Sequence, residues 1–184
     1  MTQTAVATRV EDHGLVARAR AGEAAALDSL VAQHHRAVYE VTYRILGDPD
    51  AAADAAQDAF MKALAALDGF RGEASLRTWL LRIAANEARS AGRRTTRRRE
   101  VALDAAPEPP DGEPSPEREA VIRLEADRVA VALETLPEKQ RLAVTLRIHH
   151  DLSHREIGEV IGSSEGAARV NYHLGIKRLR ELLT

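Results

Sequence analysis

The sequence contains no cysteine among its 184 residues. This absence excludes disulfide bonds and thiolate metal sites, and it is compatible with a reducing compartment. The other candidate metal ligands are a few histidines mixed with basic residues, which do not form a convincing ligand set. We also find no nucleophile–base pair and no glycine-rich phosphate loop. The sequence therefore predicts no metal site, no cofactor and no catalytic residues.

Aromatic residues make up only 3% of the chain. No apolar run approaches the roughly 20 residues that span a bilayer. The core must therefore be built mainly from Ala, Leu, Val and Ile, whose helical spacing favours an all-α fold over sheets. The first residues lack the apolar segment of a signal peptide. We accordingly expect a cytoplasmic protein with no direct insertion into a membrane.

The net charge of −2 conceals a strong asymmetry along the chain. Residues 86–100 contain six arginines and two glutamates, whereas residues 104–119 contain six acids and one arginine. The acidic stretch also contains five of the seven prolines, a composition that is typical of an extended linker. We therefore predict two small helical modules, residues 10–100 and 119–184, joined by a flexible proline- and acid-rich linker over residues 101–118.

Helix signals recur in both modules. Gly47-Asp48-Pro49-Asp50 predicts a turn followed by a helix start, and Ser75 is a candidate cap for a helix over 75–93. Pro137 predicts the start of a helix that runs to about His150. This helix contains the alternating stretch 142–148, which has no partner strand and is therefore predicted to be helical.

Residues 153–182 read SHREIGEVIGSSEGAARVNYHLGIKRLREL, which predicts two short helices around a polar turn. The stretch Ser163-Ser164-Glu165 supplies a serine cap before the second helix, and Gly158 would let the two helices approach closely. The predicted buried stripe of the second helix comprises Ala168, Tyr172, Gly175, Leu179 and Leu182. The opposite face carries Arg169, Val170, His173 and Lys177. This pattern favours a DNA-binding helix-turn-helix, with a plain αα-hairpin as the alternative.

Three ordered segments give the sequence a family resemblance. Residues 33–67 read QHHRAVYEVTYRILGDPDAAADAAQDAFMKALAAL, residues 70–89 read FRGEASLRTWLLRIAANEAR, and residues 136–162 read LPEKQRLAVTLRIHHDLSHREIGEVIG. In this order they resemble the extracytoplasmic-function (ECF) sigma factors of bacterial RNA polymerase. The resemblance implies a transcription initiation factor that binds core RNA polymerase, directs it to promoter DNA with −10 and −35 elements, and assists melting.

The resemblance also implies roles for particular residues. A helix face that would dock on the β′ clamp of the polymerase comprises Asp54, Gln57, Asp58 and Met61. A loop that holds a flipped base, together with the helix after it, would bind the −10 element through Arg71, Gly72, Glu73, Ser75, Arg82, Asn86, Arg89 and Arg93. The helix-turn-helix would read the −35 element through Arg155, Arg169, Val170, Asn171, His173 and Lys177.

Several alternatives stay open at this point. Trp79 is predicted to belong to the core and not to stack on bases, and Asn86 could be a surface residue without a base contact. Residues 136–150 would pack on the β flap by resemblance, but their apolar side chains could equally be internal. The resemblance further implies an anti-sigma partner that holds the two modules in a closed form. The rival hypothesis is a helix-turn-helix repressor or activator, which would bind a palindromic site as a dimer without polymerase.

Overall fold

The computed structural model describes residues 12–101 and 128–184, and every regular element in these two ranges is helical. The first range contains α1 (12–20), α2 (Ala24–Leu46), α3 (Pro49–Ala65), a 3-10 turn (Leu67–Gly69) and α4 (Leu76–Val101). The second range contains α5 (128–134), α6 (Glu138–Ile148), α7 (His154–Ile161) and α8 (Glu165–Leu183). The all-α prediction is confirmed. The predicted linker lies outside the described residues from position 102 onward.

None of the helices in the described ranges is long and apolar enough to cross a membrane.

Helices α2, α3 and α4 pack closely because one face of α3 consists of alanines, with Phe60 as its one large side chain. The buried residues of this face are Ala52, Ala55, Ala56, Ala59, Phe60 and Ala63. The helix begins as predicted: the Asp48 carboxylate accepts the backbone N–H of Ala51 at 2.7 Å, and Pro49 occupies the first helical position. The opposite face of α3 is left facing solvent, which is where the predicted clamp contact lies.

Helices α7 and α8 form the predicted pair. The Ser153 hydroxyl accepts the backbone N–H of Glu156 at 3.3 Å, and the Glu156 carboxylate accepts the backbone N–H of Ser153 at 2.9 Å. A Cβ atom on Gly158 would lie only 2.8 Å from the backbone oxygen of Ser163. Gly158 therefore permits the close approach of the turn to α7, as the sequence predicts.

The buried stripe of α8 differs from its prediction at one end. Leu182 was expected to be internal, but its side chain is 52% exposed. A helix advances 3.6 residues per turn, so the stripe continues from Leu179 to Leu183, which packs against the core. The rest of the predicted stripe is buried or half-buried, at Ala168, Tyr172, Gly175 and Leu179.

Helix α4 corrects a predicted boundary, and α6 answers a question that the sequence left open. Helix α4 continues to Val101 and does not end near Arg93, because the residues after Gly92 include no helix breaker and several arginines, which favour helix. In α6, Leu142, Val144 and Leu146 are internal, whereas the Ile148 side chain is 57% exposed.

The two helical groups share one apolar core. A single cluster of buried residues contains Leu81 and Ala85 of α4 together with Leu146 of α6 and Ile157 and Ile161 of α7. Helix α4 packs directly on α7, and α2 packs on α6. The described parts of the two predicted modules therefore form a closed arrangement, which the sequence alone did not predict for the isolated chain.

A polar cluster closes the same interface, and we call Glu40, Arg77, His149 and His150 the Glu40 cluster. The Glu40 carboxylate lies 2.6 Å from His149 Nδ1 and 3.1 Å from His150 Nε2. Arg77 lies 2.5 Å from His150 Nδ1 and donates to the His150 backbone oxygen at 3.3 Å. Because arginine only donates, His150 Nδ1 accepts this hydrogen bond.

Candidate nucleic-acid interface

The predicted clamp face lies on the solvent side of α3. Asp54, Gln57 and Asp58 are exposed, and the Met61 side chain is 65% exposed. The four residues follow one another at helical spacing, so they share a face. Within the described residues, this face makes one ion pair, between Asp58 and Arg94 at 4.0 Å. Two carboxylates, an amide and an exposed thioether suit a basic partner helix with apolar patches.

The predicted −10 loop, residues 70–75, has a fixed backbone shape. The Phe70 ring is buried and lies 5.3 Å from the Trp79 ring, centroid to centroid. Gly72 has a left-handed φ of 73°, and a Cβ atom there would lie 2.8 Å from His13 Nε2. Ser75 is engaged as the cap of α4, since its hydroxyl accepts the backbone N–H of Thr78 at 3.1 Å. Arg71 and Glu73 are exposed at the loop surface.

Trp79 has the mixed environment of a residue at the edge of the core. It packs against the main apolar cluster and is half-buried. The residue also lines a cleft beside the loop. Trp79 therefore belongs to the core in part, as a residue that packs against it and borders the cleft.

The predicted −10 residues of α4 form a stripe with spacings of four, three and four residues. Arg82, Asn86 and Arg93 are exposed on this face. Arg89 is engaged: its Nε donates to Glu138 Oε1 at 2.8 Å, and its Nη2 donates to the backbone oxygen of Ile161 at 3.4 Å. In the closed arrangement, one of the four predicted DNA-binding residues of α4, Arg89, is thus engaged in an intramolecular ion pair.

The predicted −35 residues lie on the outer surface of α7 and α8, where their charges are partly paired. Arg155 contacts Glu159 at 3.4 Å, Arg169 contacts Glu165 at 3.1 Å, and Lys177 lies 3.9 Å from Glu181. The three cations are exposed and each pairs with an acid four residues away on the same helix, so each pair contributes little to stability and leaves the cation available to a phosphate.

The neutral −35 residues differ in what they offer a partner. The Val170 side chain is 57% exposed, without a packing role that would explain it. The Asn171 amide nitrogen donates one of its two hydrogens to the backbone oxygen of Ala167 at 2.8 Å. His173 is exposed and lies 6.4 Å from the ring of His154. Burial, followed by the positive charge of Arg147, lowers the pKa of His154.

A cleft of about 550 Å³ brings the two predicted DNA-binding sets face to face. Its walls come from the −10 loop, from Trp79 and Arg82 of α4, and from Arg155 and Glu159 of α7. Three arginines therefore converge on one opening, counting Arg71 in the loop. The same geometry places a predicted −35 residue next to the predicted −10 loop.

Sequence reasoning missed the Glu40 cluster and the contacts of α1. The two adjacent histidines were weighed only as metal ligands, and Glu40 follows no motif. Burial of Glu40 favours its neutral form, but the hydrogen bonds from His150 and His149 outweigh this effect and lower the pKa of the carboxyl to about 2. The carboxylate is therefore ionised at neutral pH, where it holds two side chains of the other module.

Comparisons with known proteins agree with this layout. Residues 30–98 match the family described as Sigma-70 region 2, and residues 126–179 match the family described as Sigma-70, region 4. The chain is 36% identical to the RNA polymerase sigma-H factor of Pseudomonas aeruginosa, with 88% of each chain covered. It is 32% identical to the ECF RNA polymerase sigma-E factor of Escherichia coli K12, again with 88% of each covered.

The fold is also similar to that of a solved structure. CnrH, solved in complex with the cytosolic domain of CnrY, shares 28% identity with a TM-score of 0.68, and the match covers 94% of this chain and 96% of that one.

Proposed function

This chain belongs to the sigma-70 family, within its ECF group. We propose that each of the surfaces described above binds a different part of the polymerase or the promoter. The clamp face binds core RNA polymerase at the β′ clamp. The −10 loop and the α4 stripe bind the −10 element, and α7 with α8 reads the −35 element. The protein acts in the cytoplasm, and we assign no catalytic step to it. The comparisons support this assignment over a stand-alone repressor or activator.

The observation that carries the proposal is the α4 stripe beside a rigid loop. Arginine side chains bind DNA phosphates, and an asparagine side chain can form two hydrogen bonds with the edge of an adenine. Asn86 would therefore contact a base, and Arg82 and Arg93 on either side of it would contact the DNA backbone. The adjacent cleft, with Trp79 and Arg71 in its wall, offers a pocket next to the same strand. Extruding a base costs a few kcal/mol, which such a pocket must offset.

The −35 surface fits a contact set of mixed chemistry. Arg155, Arg169 and Lys177 supply cations for phosphates or guanines, and exposed Val170 suits the methyl group of a thymine. The Asn171 oxygen can accept from a base amino group, while one hydrogen of its amide nitrogen is engaged with Ala167. Three cations predict a modest salt dependence for this module.

Charge complementarity supports the clamp contact. Asp54 and Asp58 lie free of strong ion pairs in the described structure, and Met61 stands exposed beside them. Apolar side chains of α6 are internal except for Ile148, so a β-flap contact in this arrangement would centre on that residue.

We further propose a protein inhibitor of the anti-sigma kind. The solved structure of CnrH contains a second protein, the cytosolic domain of CnrY, which supports such a partner for this chain.

The experiment that tests the main proposal is in vitro transcription with purified core polymerase and a genomic fragment library. We expect new start sites that share two spaced upstream motifs. The variant N86A should lose roughly 1–3 kcal/mol of discrimination between −10 sequences. T95A, at an exposed position of the same helix, is the matched control. A protein that protects a palindrome on its own and adds no start sites would overturn the proposal.

The clamp contact is tested separately by the double variant D54K/D58K. We expect weaker binding to core polymerase and unchanged binding of the −35 module to a duplex. D28K, which reverses an exposed charge on α2, is the control. Equal core affinity for D54K/D58K and the parent would refute the clamp assignment.

A further inference from the structure

Helix α1 contacts the −10 loop at its start, its middle and its end. At the start, Arg20 reaches across 47–50 residues of sequence to the carbonyls that lead into the loop. Its Nη2 donates to the backbone oxygens of Leu67, Asp68 and Phe70 at 2.9, 3.2 and 2.6 Å, and its Nε donates to Leu67 at 3.1 Å. A single guanidinium thus binds three carbonyl groups of the 3-10 turn and the residue after it by charge-assisted bonds.

At the middle of the loop, the imidazole of His13 lies directly against Gly72. A Cβ atom on Gly72 would come within 2.8 Å of His13 Nε2 and 3.1 Å of His13 Cε1. Gly72 also has a left-handed φ, which other residues rarely adopt. Both this conformation and the contact with His13 therefore favour glycine at this position. The loop therefore rests on α1 at the point where it bends.

At the end of the loop, Asp12 supplies an acidic side chain at the start of α4. The first turn of α4 contains no acidic residue. The buried carboxylate of Asp12 accepts the backbone N–H of Leu76 at 3.3 Å, which places a negative charge at the positive end of the helix dipole. This hydrogen bond joins the start of α4 to α1.

We infer that α1 positions the −10 loop, with Arg20 as the positioning residue that sets the shape in which the loop receives a base of the non-template strand. This inference rests on the proposed function, since it deepens the assignment of the −10 loop. Arg20 acts through backbone carbonyls and not by touching DNA. Loss of Arg20 should therefore lower the discrimination among −10 sequences through the shape of the loop, and the lost positive charge should matter less.

The test uses holoenzyme assembled with R20Q, R20K and the control R18Q. Arg18 lies on the same helix and pairs with exposed Glu23, so R18Q removes one positive charge without touching the loop. The probes are the promoter recovered from the transcription screen and single-base variants of its −10 element. The readouts are the affinity ratio between parental and variant −10 sequences, the affinity for core polymerase, and the binding of a duplex that carries only the −35 element.

We expect R20Q to lower the −10 ratio at least fivefold while R18Q, core affinity and −35 binding stay at parental values. R20K keeps the cation but not the planar fork, so its ratio should fall between those of R20Q and the parent. If R20Q does not fold, R20K decides, and a fully parental ratio overturns the inference. A parental protein without any −10 preference overturns the proposed function and this inference together. A preference that R20Q leaves intact overturns the inference alone.

Discussion

His34 is a buried titratable residue on α2, and the structure gives it an unfavourable environment for a proton. Its Nε2 is buried and has no hydrogen-bond partner among the described residues, and the residue is only 9% exposed. Burial, followed by the positive charge of Arg77, lowers the pKa of His34 to about 4. The folded protein therefore holds His34 neutral under conditions in which the unfolded chain would protonate it.

This difference predicts a loss of stability on acidification. Between pH 6.5 and pH 4 the unfolded state binds a proton at His34 that the folded state does not, so the free energy of unfolding falls as pH falls through this window. The contribution from His34 should reach about 2–3 kcal/mol at pH 4.5. Urea denaturation at pH 7 and pH 4.5 should show this loss in the parent and a smaller loss in H34Q.

The control for this prediction is H35Q, at the exposed neighbouring position. It should keep the parental acid loss. Glu40 affects stability in a different pH range. Its lowered pKa stabilises the fold above about pH 4.5, and this stabilisation is lost as the pH falls toward 2. An H34Q protein with the full parental loss above pH 4.5 would show that burial of this imidazole is not the cause.

At the scale of the element, the start of α8 depends on one of two adjacent serines. The Ser164 hydroxyl accepts the backbone N–H of Ala167 at 3.2 Å, whereas the Ser163 hydroxyl is directed to the backbone oxygen of Ser164 at 3.4 Å. S164A should therefore destabilise the protein by about 1 kcal/mol, while S163A should have little effect. Thermal or urea unfolding of the two variants checks this. Equal losses in both would contradict the assigned cap.

The same elements show what a sequence can predict. The caps at Asp48, Ser153 and Ser164 are local, because each acts within three residues, and all three helix starts follow from residue type alone. The face of α3 is likewise readable from its period. Contacts between Glu40 and His150 join positions 110 apart, and no periodicity says which side chains will meet. Arg20 was missed for the same reason, since its partners are backbone carbonyls and leave no mark in the sequence.

At the scale of the whole molecule, the closed arrangement conflicts with simultaneous reading of both promoter elements. Elements centred about 25 base pairs apart lie roughly 85 Å apart on B-form DNA at 3.4 Å per base pair. In the structure, however, Arg155 lines the same cleft as the −10 loop, and Arg89 is bonded to Glu138. The proposed function therefore requires the two modules to separate when the protein engages polymerase and promoter.

We expect this opening to be measurable by energy transfer between two dyes. The chain has no cysteine, so D28C on α2 and R178C on α8 provide the sole attachment points, both at exposed positions. Transfer should be high in the free protein and should fall on addition of core polymerase. E40Q removes the charge that holds His149 and His150, so it should lower the transfer in the free protein.

E165Q is the matched control for E40Q, because Glu165 pairs only with Arg169 on its own helix among the ion pairs of the described residues. It should leave the transfer unchanged. The apolar contacts of Ile157 and Ile161 persist in E40Q, so the shift should be partial, and full opening should require the polymerase to cover the exposed apolar surface. Transfer that stays high in the holoenzyme on promoter DNA would mean that the closed form is the working form, and the −35 assignment of α8 would then be wrong.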